Sequence, residues 1–228
     1  PAPAAPTVQV RVVGPPDGAR LLPVWPPRGG APGMLEEHPT RESLEDAEWL
    51  HISGICLRVR PARAALLAAM DHARSGGIPV SLDLNLRLEN WGWERGFRET
   101  AMEAIDRADI GLGSADDEID ALVDAGGPVA SARVLAGTER TVVARSGPDG
   151  AMAIAGDDVV RSAGFDVDIV DTVGAGDAFD AGFIAARLEN RTLAESLRRG
   201  NAVAGLTVSR PGARSTPTRA ELDRLLAG

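Results

Sequence analysis

The chain contains no lysine; apart from three histidines, every basic side chain is arginine. This excludes Schiff-base catalysis and the lysine of a phosphate-binding P-loop. Cysteine is almost absent too. Cys56 stands alone in the apolar run "HISGICLRV", so no disulfide can form within the chain, and the residue reads as a small buried hydrophobe. A reducing, cytoplasmic setting is the expectation. No apolar run reaches the length of a membrane span. The opening "PAPAAP" lacks the basic start and apolar core of a signal peptide, and is expected to be a loose end. Positive charge is in short supply: 24 basic residues face 33 acidic ones, a formal net charge of −9. That argues against nonspecific nucleic-acid binding, yet leaves room for a small anion held by local arginines.

What is present is an ordinary globular composition, 44% hydrophobic and 25% charged, over 228 residues. "TVQVRVV" and "ARLLPVW" flank the turn "GPPDG" and predict a hairpin. A helix start at Thr40 or Ser43 precedes the strand "LHISGICLRV". "PARAALLAAMDHARS" is helical, with Pro61 in its first turn and Gly76-Gly77 at its end. "IPVSLDL" is a strand, and "NLRLENWGWERG" a polar loop. "FRETAMEAIDRA", "SADDEIDALVDA" and "VASARVLA" read as helices, and "DIGLG" as a short strand. "RTVVAR" and "GAMAIA" are strands on either side of the turn "SGPDG", followed by a short irregular segment. Three helices close the chain: "VGAGDAFDAGFIAARLEN", "LAESLRRGNAVAGLTVSR" and "RAELDRLLA". Such alternation predicts an α/β fold with a mainly parallel sheet flanked by helices.

The densest chemistry lies in "DIVDTVGAGDAFDAGF", Asp168 to Phe183. Gly174, Ala175 and Gly176 put almost no side chain in front of a helix start, where backbone N–H groups and partial positive charge make an anion site. Asp177 follows at once. A carboxylate is a poor permanent neighbour for phosphate. It makes sense as a base that takes a proton from a hydroxyl attacking that phosphate, while the amides stabilise the growing charge. "GAGD" alone supports equally a tight strand-to-helix turn with a first-turn acid.

The longer string "DTVGAGDAFDAGF" resembles the C-terminal signature of the ribokinase-like sugar kinases, the PfkB family. The resemblance implies Asp177 as general base and Gly174, Ala175 and Gly176 as the anion hole for the γ-phosphate of ATP. In some members Asp171 would help hold a monovalent cation such as K⁺. "RSGPDGA" resembles the family's strand-turn-strand along ATP, which puts Ser146, Gly147, Asp149 and Gly150 beside the nucleotide; taken alone it is any β-hairpin. "RRGNAVAGLTVSRPGA" resembles the adenine-side helix and loop, with Asn201, Ala204 and Val208 as pocket wall, although Asn201 alone reads equally as a helix-surface residue.

"SLDLNLRLENW", with Asp83, Asn85, Arg87 and Trp91, resembles the D-x-N-x-R…W stretch of 2-keto-3-deoxygluconate kinases and some fructokinases. A guanidinium fork suits a sugar-acid carboxylate or a phosphate. The bland reading is a surface arginine, but its position after the "LDL" strand favours the binding role. By the same resemblance Gly54 and Ile55 line the sugar site, while His51 starts the strand. Where the family carries N-x-x-E for Mg²⁺, this chain reads "GSADDEIDAL". Glu118 fits by spacing and Asp117 is the neighbouring register, with Ser114 or Ala115 in place of the asparagine. First-turn acids that favour the helix dipole explain both residues equally well.

The resemblance runs from about Val8 to Leu226. The family's first sheet strands and glycine-rich sugar motif have no counterpart. The expected organisation is a loose start and partial β lid over 1–36, with Trp25 and Arg28 near common lid positions. A ribokinase-like α/β domain lacking its N-terminal strands would follow over 37–228. An open sheet edge of that kind is an aggregation hazard, which homo-oligomerisation would repair. The resemblance implies an ATP- and Mg²⁺-dependent kinase of a small sugar or sugar acid, most of all 2-keto-3-deoxygluconate, acting without a nucleic-acid or membrane partner. The alternatives are a fructokinase or other sugar kinase of the same fold, and a catalytically inactive nucleotide-binding fragment.

Overall fold

The computed structural model describes residues 9–13, 20–24, 44, 47–58 and 60–228. They divide into two compact units. One lies within Pro1–Val80 and Leu86–Arg107, the other comprises Ser81–Asn85 and Ala108–Gly228. The helix expected from Thr40 or Ser43, and the lid positions Trp25 and Arg28, lie outside the described residues.

In the first unit, β1 (Gln9–Val13) pairs antiparallel with β2 (Arg20–Val24), Gln9 opposite Val24 and Val13 opposite Arg20. This is the hairpin read from the sequence. β3 (Leu50–Ser53) leads through a 3-10 turn, Gly54–Arg58, into α1 (Arg60–Ser75). The α1 stripe Ala62, Ala65, Ala69 and Ala73 is fully buried, at the spacing that keeps one helix face inward. The helix ends in a Schellman turn: Ile78 N–H donates to the Ala73 carbonyl and Gly77 N–H to that of Arg74, with Gly77 at φ 72°. α2 (Leu88–Trp91) is a single turn inside the stretch read as a loop, and α3 (Phe97–Ile105) follows.

The remaining strands are β4 (Val80–Asp83), β5 (Ile110–Ser114), β6 (Thr141–Arg145), β7 (Ala151–Ala155) and β8 (Asp158–Ser162). From β4 onward the sheet order is β4-β5-β6-β7-β8. β4, β5 and β6 run parallel, whereas β6-β7 and β7-β8 are antiparallel. The sheet is therefore mixed. The parallel character expected from strand–helix alternation belongs to β4–β6, where helices intervene. Ser146–Gly150 and Gly156–Asp157 are too short for a crossover and turn the chain straight back. β8 falls in the segment read as irregular; its "DVVRS" has an exposed, polar edge character with only two apolar residues.

A π-helical turn, Ala115–Asp120, and the short α4 (Ala121–Val123) follow β5; α5 (Pro128–Ala136) precedes β6. α6 (Ala175–Leu188), α7 (Leu193–Val208) and α8 (Arg219–Ala227) complete the chain. Capping boxes fix the starts of α7 and α8, Thr192 with Glu195 and Thr218 with Glu221. Leu112, Val143, Ala151 and Ala153 from the sheet pack with Phe179, Phe183 and Leu197 from α6 and α7. The two helices approach closely because Gly182 and Gly200 lack side chains. A Cβ on either would lie 2.8 Å from Val203 or from the Phe179 ring.

Candidate active site

The parallel strands deliver three chain positions to one edge of the sheet. β4 ends at Asp83, β5 at Ser114 opposite Arg145, and β6 at Arg145 itself. This is the carboxyl edge, where α/β sheets bind ligands. Arg145 is the hub. Its Nη2 lies 2.6 Å from Asp83 Oδ1 and 3.7 Å from Glu118 Oε2; its Nη1 lies 2.7 Å from Asp180 Oδ1 and donates to the Gly176 carbonyl at 3.1 Å. Asp83 and Asp180 are buried, and the Arg145 side chain is 14% exposed. Burial would lower the Arg145 pKa, but the three carboxylates outweigh it and raise the value above that of an ordinary arginine. The Asp180 carboxyl is pushed well above the usual aspartate range, first by burial and then by the charges of Asp83 and Asp177; Arg145 only partly offsets this.

Gly174 caps α6 in the left-handed region, at φ 84°, and a Cβ there would lie 2.8 Å from the Ala213 carbonyl oxygen. Only glycine fits both demands. Gly174, Ala175 and Gly176 are half-buried at the helix start, and Asp177 is exposed in its first turn. Asp171 braces this loop from below. Its Oδ1 accepts from Val173 N–H at 3.0 Å and its Oδ2 from Gly212 N–H at 2.9 Å. The Val208 carbonyl accepts from Val170 and Asp171 N–H, so the loop before α6 is laced to the end of α7. The Asp171 carboxylate thus has a structural task whether or not a monovalent cation binds beside it.

The two acids weighed for Mg²⁺ separate clearly. Asp117 is exposed, while Glu118 turns back toward the sheet edge, where Oε2 accepts from Ser114 N–H at 2.7 Å beside Arg145. Gly113 beside it sits in close quarters: a Cβ there would lie 3.1 Å from Leu84 Cδ1 and 3.3 Å from Ile119 Cγ1. Among the described residues no group of three acidic, histidine or cysteine side chains is placed to hold a metal ion.

Ser146, Gly147 and Asp149 lie exposed in the turn between β6 and β7, whereas Gly150 is buried. A Cβ on Gly150 would come within 2.2 Å of the Ser162 carbonyl, so its glycine is dictated by the crossing backbone. Asn201 is buried; its Nδ2 donates to the Ser162 carbonyl at 3.0 Å and the Ala163 carbonyl at 3.1 Å, tying α7 to the end of β8. Ala204 packs half-buried against the sheet-facing core, and Val208 is half-buried. In the first unit, Gly54 and Ile55 are buried in the 3-10 turn after β3, and Arg87 is exposed. Asn85, half-buried, belongs to the second unit. Asn85 and Arg87 both have positive φ, 38° and 50°.

Sequence reasoning missed Arg145 and Asp180. The available signals were a lone arginine ending the apolar strand "TVVAR", and an aspartate three residues after Asp177, on the same helix face.

The pfkB family carbohydrate kinase model matches residues 12–219. Relatives include the ATP-dependent ribose-1-phosphate kinase of Halopiger xanaduensis, 36% identical over 175 residues and covering 77% of this chain and 53% of the relative. The 2-dehydro-3-deoxygluconokinase of Escherichia coli is 28% identical over 209 residues, 86% of this chain and 66% of the relative. Among solved structures, aminoimidazole riboside kinase from Salmonella enterica, complexed with aminoimidazole riboside and an ATP analog, superposes with a TM-score of 0.71 at 30% identity. That match covers 79% of this chain and 63% of the other. The chain belongs to the pfkB family of carbohydrate kinases, with a ribokinase-like α/β fold. It spans between about half and two thirds of the length of these relatives.

Proposed function

We propose that the protein transfers the γ-phosphoryl group of ATP to a hydroxyl of a small sugar acid, with 2-keto-3-deoxygluconate the first candidate. The observation that carries this reading is the start of α6: a left-handed Gly174, half-buried small residues, and Asp177 in the first helical turn. Asp177 takes the proton of the acceptor hydroxyl as its oxygen bonds to the γ-phosphorus. The bond from that phosphorus to the bridging oxygen breaks, and ADP leaves. Amides at the start of α6 stabilise the charge on the transferred group. Arg145 holds the turn from inside through Gly176 and Asp180. Mg²⁺ would arrive on the nucleotide, and Glu118 would meet its water shell. Ser146, Gly147, Asp149, Gly150, Ala204 and Val208 would flank the nucleotide, with Asn201 holding the adenine-side helix in place. Arg87 would grip the acceptor's anionic end and Asn85 a hydroxyl, and Gly54 and Ile55 would serve the sugar.

A sugar phosphate is the second reading. The 36% identity to a ribose-1-phosphate kinase favours it, and a guanidinium serves phosphate as well as carboxylate.

The test is ADP release from Mg²⁺-ATP with 2-keto-3-deoxygluconate, ribose 1-phosphate or fructose, alongside Asp177→Asn. Release with the sugar acid, lost in the variant while ATP still binds, is the expected result. Preference for ribose 1-phosphate selects the second reading, and equal use of fructose removes the anion-gripping role of Arg87. Undiminished turnover by Asp177→Asn overturns the assignment of the base.

A further inference from the structure

Arg58, in the first unit, has a side chain only 7% exposed. It stands at the end of the 3-10 turn after β3, and among the described residues it meets the segment 86–97. Its guanidinium carbon lies 3.9 Å from the Phe97 ring centroid and 4.9 Å from that of Trp91. Nη2 donates to the Leu86 carbonyl at 2.5 Å and more weakly to the Gly92 carbonyl at 3.5 Å, and Nη1 lies 3.6 Å from Glu94. Nε and Nη1 make no hydrogen bond among the described residues. The aromatic faces take the place of acceptors, as they do for a desolvated guanidinium.

The clamped carbonyl of Leu86 lies between Asn85 and Arg87, the two non-glycine residues of this stretch with positive φ. Arginine rarely adopts that conformation, and such backbone persists only where its surroundings over-determine it. Arg58 contacts this segment at Leu86, Trp91, Gly92 and Phe97, yet it belongs to no motif of the sequence.

We propose that Arg58 is a positioning residue for the acceptor: by pinning the Leu86 carbonyl and the Trp91 ring it fixes the left-handed turn that presents Arg87, and so sets affinity for the acceptor's anionic end. The role in affinity rests on the kinase reading above; the clamp itself does not.

Two measurements on Arg58→Met and Arg58→Lys separate the two. The first is hydrogen exchange across 86–94. Arg58→Met should speed exchange there by about tenfold or more while leaving α6 and α7 unchanged. Arg58→Lys keeps a cation over the rings without the planar fork, and should fall between Arg58→Met and wild type. Unchanged exchange in both variants overturns the clamp. The second is steady-state kinetics. The acceptor KM should rise by about tenfold to a hundredfold in Arg58→Met, with the ATP KM unchanged and partial rescue in Arg58→Lys. A purely structural role would lower the active fraction without splitting the two KM values, and that result overturns the positioning role. If the wild type transfers phosphate to none of the acceptors, the kinase reading fails and the affinity role with it, while the exchange result still decides the clamp.

Discussion

Nη1 of Arg145 bridges Asp180 Oδ1, at 2.7 Å, and the Gly176 carbonyl, at 3.1 Å, so one nitrogen ties the end of β6 to two successive turns of α6. The opposite nitrogen reaches Asp83 and Glu118. Three acids share one permanent cation.

Arg145→Met should destabilise the protein by about 3–5 kcal/mol, because the buried carboxylates of Asp83 and Asp180 lose the guanidinium that pairs with them. Urea unfolding at neutral pH measures this. Arg145→Lys should recover only part of the loss, since an ammonium cannot serve both sides of the cluster at once. A loss below about 1 kcal/mol in Arg145→Met would mean that the network contributes no more than an exposed pair.

Asp180 sets a pH dependence of definite sign. Its folded pKa is raised, so the folded state holds the proton more tightly than the unfolded state does. The stability this gives is full below the ordinary aspartate value of about 3.9 and is lost as pH rises through the folded value. Asp180→Asn removes the titration. Its thermal midpoint should fall less than that of wild type as pH rises from about 4 to about 8. Glu221 works in the opposite sense. Its carboxyl is lowered to about 2 by the hydrogen bond from Arg210 and those from Thr218, so its contribution is lost on acidification toward that value. Parallel curves for wild type and Asp180→Asn would refute the raised value.

Gly174→Ala should cost roughly 1–3 kcal/mol of stability and remove nucleotide binding, since positive φ and the 2.8 Å approach to Ala213 both oppose a side chain. Gly77→Ala is the control. Gly77 also has positive φ, but nothing lies within 4 Å of its would-be Cβ, so about 1 kcal/mol is expected, with ATP binding intact. Calorimetric titration with ATP and urea unfolding distinguish the two. Equal ATP affinity in both variants would remove the anion-loop role from Gly174.

Much of the fold was legible because its signals are local. Alternation gave the β1-β2 hairpin, the alanine stripe gave α1, and "GAGDAF" marked the start of α6. β8 was not legible, since an edge strand with exposed polar residues has no hydrophobic period to read. The β6-β7 hairpin was legible in its turn "SGPDG", whereas the second reversal, from β7 into β8, was not, because β8 itself carries no readable period. The glycines and Asp171 of the loop that opens α6 stand out in sequence, whereas Arg145, Asp180 and Arg58 do not. Their significance arises from partners 28 to 62 residues away, which the fold alone brings together.

The left-handed backbone at Arg87 sets chain stability and guanidinium placement against each other. Glycine there would relax the turn and delete the fork. Directed evolution for heat resistance alone would be drawn to replace this arginine, whereas a screen that also demanded turnover of an anionic acceptor would keep it. The composition of position 87 after such a campaign would record which selection the protein had experienced.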